Sequence, residues 1–207
     1  MTRRTRASGH WRQRQQDDPY VRRAAKERRR SRAVFKLEQI NARERILRSG
    51  MLCIDLGAAP GGWSQYAAGI VGRGGGVVAV DLLPMAPIEG VELIEADFTA
   101  AGTPARVLEA LQGARADIVM SDMAPNISGS RSVDQPRAMQ LAEDALDFCR
   151  EALKPGGTFL VKLFQGEGFE EFVRSARAEF TRVRLVKPKA SRPDSREIYL
   201  LATGYAV

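Results

Sequence analysis

Lys162 stands in the middle of "TFLVKLF", residues 158–164, a run of β-branched, aliphatic and aromatic side chains with glycine before it. Such a run reads as a strand covered on both faces. An ammonium carried into it must find a partner, lose its proton or serve a reaction. Three more charged groups occupy similar places. Asp122 closes the apolar run "ADIVMSD", Lys36 lies between Phe35 and Leu37 in "AVFKLEQI", and Glu197 opens "EIYLLATG". Each alone reads as a solvated end position; the four together carry more weight, as groups able to orient a substrate and handle its proton.

A second constellation is "DLGAAPGGW", residues 55–63, a glycine-rich turn between a strand pattern and a helix pattern. Ala59 stands where a dinucleotide fingerprint needs the glycine that admits a pyrophosphate. The turn therefore suits a nucleoside ligand without phosphates, such as S-adenosylmethionine. The candidates for holding it on this turn are Gly57, Gly61 and Trp63, the tryptophan reading equally well as core. Asp81 ends the next strand pattern, where a carboxylate can accept from both ribose hydroxyls, and Asp97 follows the third, where it can accept from an adenine amino group. An acid in the first of these places is shared with NAD-binding folds, so an NAD-dependent oxidoreductase is a rival reading. "DMAPN" echoes the Asp/Asn-Pro-Pro-Tyr/Phe loop of amino-group methyltransferases but lacks its stacking aromatic, which disfavours methylation of a base amine.

The elements that must position these groups alternate. Strand patterns at "MLCIDL", "GVVAVDL", "VELIEAD", "ADIVMSD" and "GTFLVKLF" are separated by helix patterns in "WSQYAAGIV", near 104–111 and over 134–153, and a helix over 169–180 follows the last of them. A further helix is expected within 31–46, with Ser31 capping its start. "RVRLVKP" and "EIYLLATGY" are joined only by the loop "KPKASRPDSR", which implies an antiparallel hairpin. The expected fold is α/β and Rossmann-like: a mostly parallel seven-stranded sheet with an antiparallel last strand and helices on both faces. Ligands bind such sheets at the carboxyl ends of the strands.

The 207 residues fit one domain, expected over 31–207, preceded by a basic arm over 1–30. The net charge of +7 is concentrated at the start: residues 1–32 hold 12 Lys/Arg against 3 Asp/Glu, a net of +9, so the remainder carries 7 − 9 = −2. A basic arm on a near-neutral body fits a phosphate-rich partner. Cys53 and Cys149 are too few and too dispersed for a zinc site or disulfide framework, and the lone histidine, His10, makes histidine catalysis and a metal site unexpected. With no run of about 18 apolar residues, a soluble intracellular protein is expected.

The segments "RSRAVFKLEQI", "DLGAAPGGWSQ", "SDMAPNISG" with the aspartate after it, "LVKLFQGEGF" and "KPKASRPDSREIYLLATG" follow one another along nearly the whole chain. In these the sequence resembles the RrmJ/FtsJ family of ribosomal RNA ribose methyltransferases. The resemblance implies that Lys36, Asp122, Lys162 and Glu197 are a catalytic tetrad and that Gly61, Trp63, Asp81, Asp97 and Asp122 contact S-adenosylmethionine. It implies methyl transfer to the ribose 2′-hydroxyl of a uridine in large-subunit (23S) ribosomal RNA, in an assembled 50S subunit, by a cytoplasmic monomer without a metal. Lys162 is then the candidate base, or the ammonium that steadies the developing oxyanion, with Lys36 and Glu197 orienting it and the ribose. Arg22, Arg23, Arg28, Arg29, Arg30, Arg32, Lys187, Lys189 and Arg192 are the expected phosphate contacts. Rival readings are a transfer-RNA or mRNA-cap ribose methyltransferase and a non-catalytic ribosome-assembly factor on the same fold.

Overall fold

The computed structural model describes residues 18–126 and 128–206. Its first helix is α1 (Pro19–Lys26), followed by α2 (Val34–Glu44), β1 (Leu52–Leu56), α3 (Gly62–Val71), β2 (Gly76–Asp81), β3 (Val91–Glu95) and α4 (Thr103–Ala110). The chain continues through β4 (Ala116–Ser121), α5 (Arg131–Ala152), β5 (Leu153–Phe164), α6 (Phe169–Glu179), β6 (Phe180–Val186) and β7 (Glu197–Tyr205). The seven strands form one sheet in the order β3-β2-β1-β4-β5-β7-β6, with β7 antiparallel to both neighbours and the pairs from β3 through β5 parallel. The alternation of apolar runs and amphipathic stretches thus becomes the expected doubly covered sheet.

Side chains alternate between faces along a strand, which sorts the core in two. Ile54, Leu56, Val78, Val80, Val119 and Phe159 pack beneath α4, α5 and α6. Cys53, Ile118, Met120, Leu160, Tyr199 and Leu201 pack beneath α2 and α3, against Leu37, Ile40, Trp63 and Ala67. Asp55, Lys162 and Glu197 each lie two residues from a member of the second set. The pleat therefore delivers them to the α2/α3 face at the sheet's carboxyl edge.

Two local features were not expected from the sequence. Ser31 does not cap α2: the helix begins at Val34 with Ala33 at its N-cap and no side-chain cap, because Ser31 is spent in the close packing of the preceding segment on Gly62. The arm, in turn, is helical from Pro19. Asp18 caps α1 by accepting from the Tyr20 N–H at 2.9 Å, and proline occupies the first turn, where a missing N–H does no harm. Ala24 is buried with Val34, Phe35 and Ala190, and the Tyr20 and Phe35 rings lie 5.5 Å apart. Net charge hid this apolar stripe, which docks α1 onto the body. Residues 1–17, with His10, lie outside the described residues.

Candidate active site

Two ion pairs stand side by side at the carboxyl edge of β4 and β5. The Lys162 ammonium donates to the Asp122 main-chain oxygen at 2.6 Å and lies 3.1 Å from Asp122 Oδ1. The Lys36 ammonium lies 2.7 Å from Glu197 Oε1, which also accepts from the Ser191 hydroxyl at 2.7 Å. All four side chains are largely withdrawn from solvent, the most open being Asp122 at 17%. Tyr199 joins the pairs. Its hydroxyl donates to Asp122 Oδ1 at 2.7 Å and its ring centre lies 5.7 Å from Lys36 Nζ. The antiparallel register explains the meeting: Lys162 is paired with Tyr199 and Phe164 with Glu197, so residues some 35 positions apart share one edge.

The electrostatics follow from this packing. Burial raises the Asp122 carboxyl, but Lys162, Lys36 and the Tyr199 hydrogen bond outweigh it and hold the group below its usual range. Asp122 is thus an anion at neutral pH. Burial first, then the negative charges of Asp122 and Glu197, pushes the Tyr199 phenol well above its ordinary value, which keeps it a donor. A buried pair is favourable only when the remaining lone pairs and protons are satisfied, and Tyr199 and Ser191 serve that purpose here.

The glycine turn after β1 folds against the tips of β2 and β4. The Gly57 and Ala58 amides donate to the Val80 carbonyl, and the Asp122 amide donates to the Leu56 carbonyl. A Cβ on Gly57 would lie 2.7 Å from Met123 Cγ and 2.9 Å from the Met123 main chain, and φ there is +76°. Only glycine admits this approach. Asp81 accepts from the Ala59 N–H at 2.8 Å and the Leu83 N–H at 2.9 Å, so it braces the turn. Asp97 Oδ1 accepts from the amide and hydroxyl of Thr99. Trp63 has its indole in the core, with its N–H donating to the Ala33 carbonyl at 2.8 Å; what it can offer a ligand is main chain at the start of α3.

Asp55 and Tyr199 were not singled out by the sequence. Asp55 is buried, accepts from the Ser64 hydroxyl at 2.6 Å through Oδ2, and leaves Oδ1 buried without a partner. Burial chiefly, opposed by Ser64 and reinforced by Asp122 and Asp81, pushes its carboxyl up to about 7. Three acids, Asp55, Asp81 and Asp122, thus bear on the glycine turn. A cradle of acids that includes the Asp122 anion and an orphaned carboxyl oxygen on Asp55 fits a cationic nucleoside such as S-adenosylmethionine, and fits a pyrophosphate poorly.

The expected phosphate contacts separate into two groups. Arg22, Arg28, Lys187 and Lys189 are exposed, the Lys187 ammonium donating to the Ser195 carbonyl. Five arginines make contacts within the protein that define their positions. Arg23 pairs with Glu27 and lies over Phe35, and Arg29 pairs with Glu27. Arg32 lies 3.1 Å and Arg192 3.8 Å from Asp18, which is nearly buried between them, and Arg32 also donates to the Ala190 carbonyl. Arg30 turns onto loop carbonyls. Arg32, Arg192, Asp194, Ser195 and Glu197 line a cleft of about 240 Å³ that opens beside the Lys36–Glu197 pair.

Known proteins share this fold and sequence pattern. A sequence profile described as FtsJ-like methyltransferase matches residues 29–205. A solved structure assigned as a ribosomal RNA methyltransferase from Plasmodium falciparum is similar with a TM-score of 0.76 and 26% identity, over 85% of this chain and 98% of that one. A structure assigned as an rRNA methylase from Clostridium thermocellum shares the fold with a TM-score of 0.56 and 17% identity, over 82% of this chain and 96% of that one.

Proposed function

The chain belongs to the FtsJ-like methyltransferase family, and from that premise we propose that it methylates RNA at a ribose 2′-hydroxyl, its substrate being a uridine of large-subunit ribosomal RNA in the assembled subunit. The observation that carries this reading is the pair of lysine–carboxylate contacts bridged by Tyr199 at the edge where the glycine turn lies. The ribosomal RNA assignment of the Plasmodium falciparum relative supports the substrate class.

S-adenosylmethionine, when bound, supplies a methyl group already made electrophilic by its positive sulfur. Gly57, Gly61, the main chain at Trp63, Asp81, Asp97 and Asp122 are the residues proposed to hold it. The protein's remaining tasks are to align a hydroxyl and to manage its proton. Lys162 is the group proposed for both. Two of its contacts are to Asp122, which fixes the amine while leaving it one further direction for the ribose oxygen. Lys36, held by Glu197 and over the Tyr199 ring, positions the sugar from the other side. Alignment of this kind accounts for most of the acceleration, and proton handling adds about 10²- to 10⁴-fold.

Lys162→Ala should therefore bind S-adenosylmethionine as the wild type does in a calorimetric titration, and lose methyl transfer to large ribosomal subunits by about the factor just given. Near-normal turnover by that variant would remove the assignment. Transfer of label to transfer RNA but to no ribosomal RNA would remove the substrate.

A further inference from the structure

The segment between α1 and α2 is fastened to the glycine turn at successive points. The Arg30 amide faces Gln65 Oε1 at 3.4 Å, Ser31 packs where any side chain on Gly62 would stand, and the Trp63 indole donates to the Ala33 carbonyl. The Arg30 guanidinium reaches further. Its two terminal nitrogens donate to the carbonyls of Ala86 and Pro87, each at 2.7 Å, and one of them lies 3.5 Å from the Pro60 carbonyl. A Cβ on Gly61 would meet Ile88 Cδ1 at 2.8 Å and Arg30 Cδ at 3.1 Å. Arg30 therefore sits where the glycine turn meets the loop that leaves Asp81.

That loop has little to hold it in place. In "PMAP", residues 84–87, two of four residues are prolines without an N–H, and among the described residues no hydrogen bond from one main-chain group to another involves the stretch. A planar guanidinium can serve two adjacent carbonyls at once; a lysine ammonium is a point charge on a flexible stem and does not reproduce that fork.

We infer that Arg30 is a positioning residue of the cofactor pocket, tying the loop after Asp81 to the glycine turn, rather than one of the phosphate contacts. The inference rests on the proposed binding of S-adenosylmethionine at that turn. It makes the α1 segment and the pocket one thermodynamic unit: closing the loop on the ligand steadies residues 24–30, and loosening that segment opens the pocket. Such coupling is reciprocal.

The test is a calorimetric titration of S-adenosylmethionine into the full chain, with Arg30→Ala and Arg30→Lys, alongside the salt dependence of binding to a ribosomal RNA fragment. If Arg30 keeps the loop closed, both variants bind the nucleoside about tenfold more weakly, as when the competent conformation falls to about a tenth of the population. Their salt slopes stay at the wild-type value. In the wild type, S-adenosylmethionine slows amide hydrogen exchange over residues 24–30, a readout that needs no variant to fold. Unchanged nucleoside affinity in Arg30→Ala, or full rescue by lysine with a salt slope lowered by about 0.7 in Arg30→Ala, would return Arg30 to the RNA and overturn the inference. So would the lack of protection at residues 24–30. Failure of the wild type to bind the nucleoside would instead remove the functional reading, and this inference with it.

Discussion

The glycine-turn half of the site is built from main chain, and the tetrad half from side chains. Around the turn, amides of Gly57, Ala58 and Ala59 and the close approach to Met123 define the surface. At the tetrad, the backbone supplies only register, and Lys36, Asp122, Lys162, Tyr199, Ser191 and Glu197 hold one another. The two halves should fail differently. A main-chain surface has no room for an added carbon, whereas a side-chain network can lose a member, keep its shape and change its charge balance.

Gly57→Ala tests the first half most severely. The new methyl must displace the Met123 main chain at a residue whose φ is +76°, so a cost of about 1–3 kcal/mol is expected. It should appear as S-adenosylmethionine affinity weakened by about 10- to 100-fold, with turnover at saturation much less affected. If kcat fell and affinity held, the division between the halves would be wrong.

Tyr199→Phe tests the second. It keeps the ring beneath Lys36 and removes the donor to Asp122, so turnover should fall about tenfold while nucleoside affinity is kept. The lost hydrogen bond should cost about 1–3 kcal/mol in denaturant unfolding. Tyr199 is also among the causes that lower the Asp122 carboxyl, so the acid limb of the pH–rate profile should move to higher pH in the variant. An unmoved limb would show that the lysines alone keep Asp122 ionised.

A test of stability rather than of turnover concerns Asp55, which lies between the halves. Its carboxyl is raised from 3.8 to about 7. Between those values the folded protein keeps a proton that the unfolded chain has released, so stability falls as pH rises through that window and levels off above it. The slope approaches about 1.4 kcal/mol per pH unit at most. Asp55→Asn cannot ionise and should flatten this part of the curve of unfolding midpoint against pH; an identical curve would show that Asp55 is charged in the folded state throughout.

Legibility in the sequence follows the same division. Strands and helices were readable because each apolar run and amphipathic stretch carries its own period, and Lys162 and Lys36 were conspicuous as charges in apolar surroundings. Tyr199 gave no such signal, since a tyrosine in a strand is ordinary core. Only the pairing of residue 162 with 199 reveals what its hydroxyl touches. The contacts of Arg30 were hidden for a related reason: its partners lie 56 and 57 residues away, and an arginine among arginines reads as a phosphate contact. Asp55 was overshadowed by the glycines beside it. The helix α1 was missed because net charge says nothing of where a buried alanine falls.

The reversal of β7 also decides how the protein can be held. Glu197 begins that strand at the edge of the candidate site, and Tyr205 ends it at the far edge, beside Phe180. Asp18, by contrast, stands between Arg32 and Arg192 at the rim of the cleft. A bead, fluorophore or surface attached beyond Tyr205 would leave the candidate site's edge facing outward, open to a large RNA substrate of the kind proposed. The same handle placed on Asp18 itself would stand in the doorway.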